Sequence, residues 1–439
     1  MARPNLLIVT CHDLGDYLGC YGTPVPTPNV DRLAAEGALF LGHFSTSTVC
    51  SPARGALLTG CYPHTNGLMG LVHRGWELDV DACTPLPAIL AQAGYRTHLF
   101  GFQHEHPDPT RLGYQEVHAA ASSHVDHVVP VFAEWVRDQG GGERPFLAAV
   151  GVSEVHRLGL HPSGFRREEY EPAEPESVEV RPYLPDIPEM RRDLADFYGA
   201  IKLVDREMGR LLDALDDAGL RDDTLVVFTT DHGASFMHSK ATLYDGGTKA
   251  ALALRWPGGI PAGVRCQGLT SHVDVLPTLL DLLGLQCPQG VQGHSVAAVA
   301  RGETEDTGRT YAFSEKNFTN YFDPQRTARS QRFRYIRRGV RSCIFDFIIP
   351  EIELCPCGFR RNRAVFEFYS ARRCTEELYD LASDPGELRN LAEEADHAET
   401  LDQLRAALDA HLEATDDPFR NFHNPIHMPA ETYEIVRGR

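Results

Sequence analysis

The chain reads as an α/β protein, with a large mixed, mostly parallel sheet sandwiched by helices and a smaller C-terminal α+β subdomain. Three observations predict this. Short apolar runs alternate with helical stretches from residue 6 onward. Glycine and proline mark the points where those stretches start and stop. At 439 residues and 42% hydrophobic side chains, the chain is long enough for one large domain and a smaller one.

Taken in order, Leu6-Leu7-Ile8-Val9 opens a strand over residues 6–10, and Thr27-Pro28 starts a helix that Gly37 stops. Residues 86–93 form a helix ended by Gly94, which feeds a strand over 95–100. A helical segment at 125–139 precedes a strand at 146–152. The long amphipathic run 190–218 is followed by the strand Thr224-Leu225-Val226-Val227-Phe228-Thr229. Such alternation implies a parallel sheet with helices on both faces, and ligands on such sheets gather at the carboxyl ends of the strands. Glu303-Thr304-Glu305-Asp306-Thr307 is polar and charged, so we divide the chain into residues 1–302 and 303–439. Beyond it, 333–336 and 344–349 read as strands of a smaller sheet and 400–414 as a closing helix.

Four strand ends carry chemistry. They are Cys11-His12-Asp13, the stretch from Gly101 to His106, Ser153-Glu154-Val155-His156-Arg157, and Asp231-His232-Gly233. A lone His or Asp at a strand end is more often a cap or a hydrogen-bonded loop residue than a ligand. Four clusters on one sheet edge shift that balance toward a site. Asp13 and Asp231 are the expected metal anchors, since hard carboxylate oxygens suit Ca²⁺ or Mg²⁺.

A fifth segment supplies the nucleophile. In Cys50-Ser51-Pro52-Ala53-Arg54, Pro52 suits the first helical position, the small and aliphatic residues to Thr59 suit one short helix, and Gly60 offers the stop. Cys50 is thereby placed at a helix N-terminus, where free N–H groups, the helix dipole and Arg54 favour an anion.

The stretch CSPARGALLTG resembles the signature of the type I sulfatases of the alkaline phosphatase superfamily, in which a separate formylglycine-generating enzyme oxidises the cysteine to formylglycine. The resemblance implies hydrolysis of a sulfate ester or sulfamate by the hydrated aldehyde. CHDLG at 11–15 and FTTDHG at 228–233 resemble family segments that hold a divalent metal, implying Asp13, Asp231, His232, His12 and Cys50 as its ligands. His12 stands where the family usually has its first Asp, and His232 where it has Asn or His. Two imidazoles soften the site toward Mn²⁺ or Zn²⁺, Mg²⁺ also remains open, and Ca²⁺ is the expectation.

The resemblance also implies that Lys240, in HSKATLYDGG, and His156, in EVHR, contact the sulfate, and that His104 protonates the leaving group. Phe102 occupies the place of a family lysine, leaving Gln103, His104 and His106 as local candidates to compensate. SHVDVLPTLL at 271–280 and ELYDLASDPGE at 377–387 extend the likeness along the chain. The loop His73-Arg74-Gly75-Trp76-Glu77 reads equally well as a pocket lining or a surface turn. The look is closest to the N-sulfoglucosamine sulfohydrolase branch.

Composition sets limits. A net charge of −19 argues against nucleic acid or an anionic membrane as partner, while a small anionic sulfated substrate remains compatible because screening isolates a basic pocket from the distant surface. No signal peptide is evident and no apolar stretch is long enough to span a bilayer. The eleven cysteines are scattered, so Cys355, Cys357 and Cys374 are read as free thiols and the expected location is cytoplasmic. Two alternatives remain: a phosphodiesterase or phosphonate monoester hydrolase on the same kind of site, and, given Phe102 and His12, a sulfatase-like binding protein without turnover.

Overall fold

The computed structural model describes residues 3–139, 141–158, 164–319, 322–339 and 374–421. Eight strands make the large sheet: β1 (Asn5–Cys11), β2 (Ala38–Phe44), β3 (Arg96–Gly101), β4 (Glu116–His118), β5 (Phe146–Gly151), β6 (Thr224–Thr230), β7 (Leu252–Arg255) and β8 (Val264–Ser271). Their order is β4-β3-β5-β1-β6-β7-β2-β8. Each neighbouring pair is parallel except the two made by β7, which runs against β6 and β2. The sheet is therefore mixed and mostly parallel, as the alternation predicts.

The period of two along the central strands builds both layers. Leu7, Val9, Val150, Val226 and Phe228 face the helices Pro28–Ala35, Val125–Gln139 and Pro188–Asp217. Leu6, Ile8, Leu147, Leu225 and Val227 face the opposite layer, made by Cys50–Thr59, Leu86–Gln92 and His272–Leu282. Every residue of β1 and β6 is buried, which explains why these strands read as continuous apolar runs rather than as alternation.

The expected elements differ from the observed ones mainly at their ends. Four strands of this sheet went unassigned in the sequence: β2, whose ALFLGHF lacks a polar alternation, β4 and β7, only three and four residues long, and β8. The Cys50 helix begins at Cys50 itself, so Pro52 stands third in it rather than first, while Gly60 does end it in the left-handed conformation at φ 66°. Val49 precedes the helix in extended conformation.

A second sheet holds β9 (Ala312–Phe318), β10 (Phe322–Arg329), β11 (Phe333–Arg338) and β12 (Glu376–Asp380), antiparallel in the order β12-β11-β10-β9. The helix Ala398–Ala414 presents Leu401, Leu404, Leu408 and Leu412 at three- and four-residue spacing to Ala328, Tyr335 and Leu378. The strand expected at 344–349 lies outside the described residues, as do Cys355 and Cys357; Cys374 is exposed and free.

Buried hydrogen bonds and ion pairs join the second sheet to the loop that carries Lys240. Tyr244 Oη donates to Glu377 Oε2 at 2.8 Å and Arg338 Nε to Glu377 Oε1 at 2.6 Å. Asp245 accepts from Arg329 Nε at 3.0 Å and also pairs with Arg334, whose Nε lies 2.8 Å from Glu387 Oε1. The TLYDGG and ELYDLASDPGE motifs thus meet in one ionic joint, which fixes the loop carrying Lys240.

Gly233 closes that loop from below, because a Cβ built there would lie 1.8 Å from the Gly246 carbonyl oxygen. A backbone group cannot yield as a flexible side chain does. Gly233→Ala is expected to cost about 3 kcal/mol or more, read as a lowered melting temperature, whereas Gly141→Ala, with nothing within 4 Å of its built Cβ, leaves melting unchanged.

Candidate active site

β1, β3, β5 and β6 end on the same edge of the sheet, and the residues that follow them converge there with the start of the Cys50 helix. Asp13 follows β1 in the left-handed region at φ 54°, a conformation that Asp tolerates better than most side chains. Asp231 follows β6. The two carboxylates are fully buried, and Asp231 Oδ1 accepts from the Asp13 backbone N–H at 3.0 Å and from its neighbour His232 at 2.9 Å.

Buried carboxylates need partners, and the site supplies them. Arg54 Nε donates to Asp231 Oδ2 at 3.1 Å, one helical turn after Cys50. Lys240 Nζ donates to Asp13 Oδ2 at 2.6 Å. His12 Nδ1 lies 2.9 Å from Asp13 Oδ1 and 3.6 Å from Asp231 Oδ2. Burial opposes ionisation of Asp13, but Lys240 above all, followed by the neighbouring imidazoles of His156 and His12, holds its carboxyl well below the usual range. Burial likewise disfavours a charged His12, yet Asp231, Cys50 and Asp13 raise it to about 10.

Cys50 sits among these groups, its Sγ 3.9 Å from His12 Nδ1 and 3.3 Å from His232 Nε2. The His232 tautomer follows from its other nitrogen: Nδ1 lies 2.9 Å from the Gly233 carbonyl, which can only accept, so Nδ1 carries the proton and Nε2 faces the sulfur. Burial disfavours a thiolate, but His12, Lys240 and His232 outweigh it and hold the Cys50 thiol well below its ordinary range.

The sequence-named residues divide as follows. Cys50, Arg54, Lys240, His12, Asp13, Asp231 and His232 form one continuous cluster. His156 joins it, with Nε2 3.8 Å from Asp13 Oδ2 and Nδ1 donating to the Arg157 carbonyl at 2.7 Å. Burial, reinforced by Lys240, lowers His156 to about 4 and keeps it neutral. A ring nitrogen of His104 lies within 4.8 Å of Cys50 Sγ and of a His12 nitrogen. The Phe102 ring packs 5.1 Å from the Arg54 guanidinium, so an aromatic face stands beside the arginine. Of the three residues named to compensate for Phe102, only His104 reaches the cavity. Gln103 turns back onto the backbone of Glu105 and His106, and His106 Nδ1 bonds to Asp108.

A cavity of about 490 Å³ opens above Cys50. It is lined by Cys50, His12, Phe102, His104, His156 and Lys240 and, beyond them, by His73, Arg74, His124 and Leu71. The loop at 73–77 therefore contributes to the pocket: the His73 ring stacks on His104 at 5.5 Å with Nδ1 3.3 Å from His104 Nε2. Trp76, by contrast, is buried in the core. Sequence reasoning missed His124, which precedes the helix Val125–Gln139 and is held by Glu154 at 2.8 Å. Its only signal is Ser122-Ser123-His124 before a helical run. Glu154 also accepts from the Val125 N–H at 2.7 Å, and Arg157 is locked to Asp193 at 2.8 Å, so both have positioning roles.

The same residues fit a divalent cation. Ligand atoms of His12, Asp13, Cys50 and Asp231 all lie within 4.8 Å of one another, and all four residues are buried. Two carboxylates, with the His12 imidazole once a cation has displaced its proton, form a donor set that a hard or borderline cation accepts. His232 Nε2 is 3.4 Å from Asp13 Oδ1, at the margin of that group and nearer the sulfur.

Comparison with known proteins identifies the family and the fold. The family model described as Sulfatase matches residues 4–285, and the one described as N-sulphoglucosamine sulphohydrolase, C-terminal, matches residues 232–347. The human N-sulphoglucosamine sulphohydrolase is 28% identical over 478 residues, covering 95% of this chain and 92% of that protein. An ulvan-active sulfatase of Formosa agariphila is 27% identical, covering 94% and 76%. Among solved structures, a protein in complex with its substrate D-glucosamine-2-N,6-O-disulfate superposes with TM-score 0.72 at 19% identity, over 96% of this chain and all of that one. The phosphonate monoester hydrolase of Agrobacterium radiobacter superposes with TM-score 0.71 at 23% identity, over 94% and 96%. With most of its length matched by that family model and curated relatives named as sulfatases along nearly all of it, the chain belongs to the sulfatase family.

Proposed function

We propose that this protein hydrolyses sulfate esters or sulfamates, using a formylglycine made from Cys50 and a divalent cation, Ca²⁺ by expectation, held by Asp13, Asp231 and His12. The observation that carries the reading is the position of Cys50 Sγ: at the first residue of a helix, within 4.8 Å of the buried Asp13 and Asp231 donors, and on the floor of a cavity. A hydrated aldehyde there supplies two hydroxyls on one carbon, one to attack sulfur and one to expel sulfate, and the cation supplies charge neutralisation and a lowered hydroxyl pKa.

The chain's own residues do the rest. Arg54 and Lys240 bring two fixed cations to the transferring group, in a buried site where such charges act more strongly than in water. His232, with its proton on Nδ1, offers Nε2 to accept a proton from the group at position 50. His156 likewise has its Nδ1 proton committed to a carbonyl, so it donates to a sulfate oxygen only once Nε2 has taken a proton from solvent, which the negative charge of a bound sulfate group favours. His104, steadied by His73, stands at the cavity wall to protonate the departing oxygen or nitrogen. The match of residues 232–347 to the N-sulphoglucosamine sulphohydrolase C-terminal family and the human relative of that name support the sulfamate side of the reading.

Matured protein is expected to release sulfate from N-sulfoglucosamine or an aryl sulfate faster than it cleaves a matched aryl phosphonate monoester, with Cys50→Ala abolishing release. Faster phosphonate cleavage would instead assign the chemistry of the Agrobacterium neighbour. Lys240→Ala should lower kcat/KM by about 10²- to 10³-fold, or about 3–4 kcal/mol of transition-state stabilisation, in steady-state assays. Dialysis against a chelator should remove activity, and Ca²⁺ should restore it.

A further inference from the structure

We propose that His98, Glu116 and His118 form a separate cation site, suited to Zn²⁺ rather than Ca²⁺, at the open edge of the large sheet. The strand register builds it. β3 and β4 pair in parallel with His98 opposite Glu116 and Phe100 opposite His118, and the two-residue period puts all three side chains on one face. None of the three lines the cavity above Cys50.

Their donor atoms form a small triangle. His98 Nδ1 lies 3.1 Å from His118 Nε2 and 3.6 Å from Glu116 Oε2, and His118 Nε2 lies 3.8 Å from Glu116 Oε2. Zinc takes nitrogen and carboxylate oxygen at about 2.0–2.2 Å in tetrahedral array, which separates its ligands by about 3.3–3.5 Å. An ion near the middle of the triangle meets that distance at every corner, and water completes the fourth position on the side of the exposed Glu116.

Neighbouring rings hold the two imidazoles in place. His118 stacks on Phe100 with centroids 4.2 Å apart and planes 5° from parallel, and His98 packs 4.5 Å from Trp135. Burial lowers the pKa of both histidines, His98 to about 4, so both are neutral ligands at ordinary pH. Two imidazoles and one carboxylate form a borderline donor set, whereas Ca²⁺ takes six to eight oxygens. The bound ion would fasten β4, three residues long and outermost, to β3.

The test uses the full chain carrying Cys50→Ala, in excess Ca²⁺, titrated with Zn²⁺ against a chromophoric chelator. Zinc is expected to bind and to raise the melting temperature. Groups that only hydrogen-bond to a metal's ligands change its affinity about 10- to 100-fold, so losing the His118 ligand in His118→Ala should weaken binding at least about tenfold and remove the melting shift. Glu116→Gln, on an exposed side chain that folding does not require, should weaken it as well. Unchanged affinity in both variants, or no zinc binding once Cys50 is replaced, would overturn the proposal.

Discussion

Two full charges buried at neighbouring strand tips govern this molecule. Asp13 and Asp231 have no contact with solvent, and an uncompensated carboxylate in such a place costs several kcal/mol. The fold answers with Arg54, Lys240 and His12, each delivered by a different segment. The site is thus an ionic cluster whose parts cannot be removed singly without leaving a partner charge exposed to a dry interior.

That constraint reaches into the rest of the architecture. Lys240 must arrive from a loop, and the loop is anchored from both sides. Ala241 N–H donates to the Thr48 carbonyl at 3.0 Å, just before Cys50, while Asp245 and Tyr244 enter the ion pairs of the second sheet. The second sheet also touches the approach to Cys50 directly, through the bridge between Ser47 and Glu315. Its contribution is to hold the Lys240 and Cys50 segments in register with the two acids.

Most of this was legible in the sequence where one residue type does one job. Apolar runs showed β1, β5 and β6 because both faces of those strands are buried. The strand-end clusters showed Asp13, Asp231, His12 and His156 because polar groups following an apolar run have only one edge to occupy. Conversely, β2 and β7 went unseen because burial of mixed sequence leaves no periodic signal. His124 and the pocket role of His73 depend on how loops fold over the sheet edge, which spacing along the chain does not encode. Pro52 lies in the first turn of the Cys50 helix, where its missing N–H costs no intrahelical bond, so the local signal located the helix start to within two residues.

The most direct test is the mass of the tryptic peptide containing Cys50, from protein produced together with a formylglycine-generating enzyme. The account predicts that this residue carries an aldehyde in place of its thiol. A peptide that retains unmodified cysteine throughout, in a preparation that nonetheless hydrolyses sulfate esters or sulfamates, would contradict it.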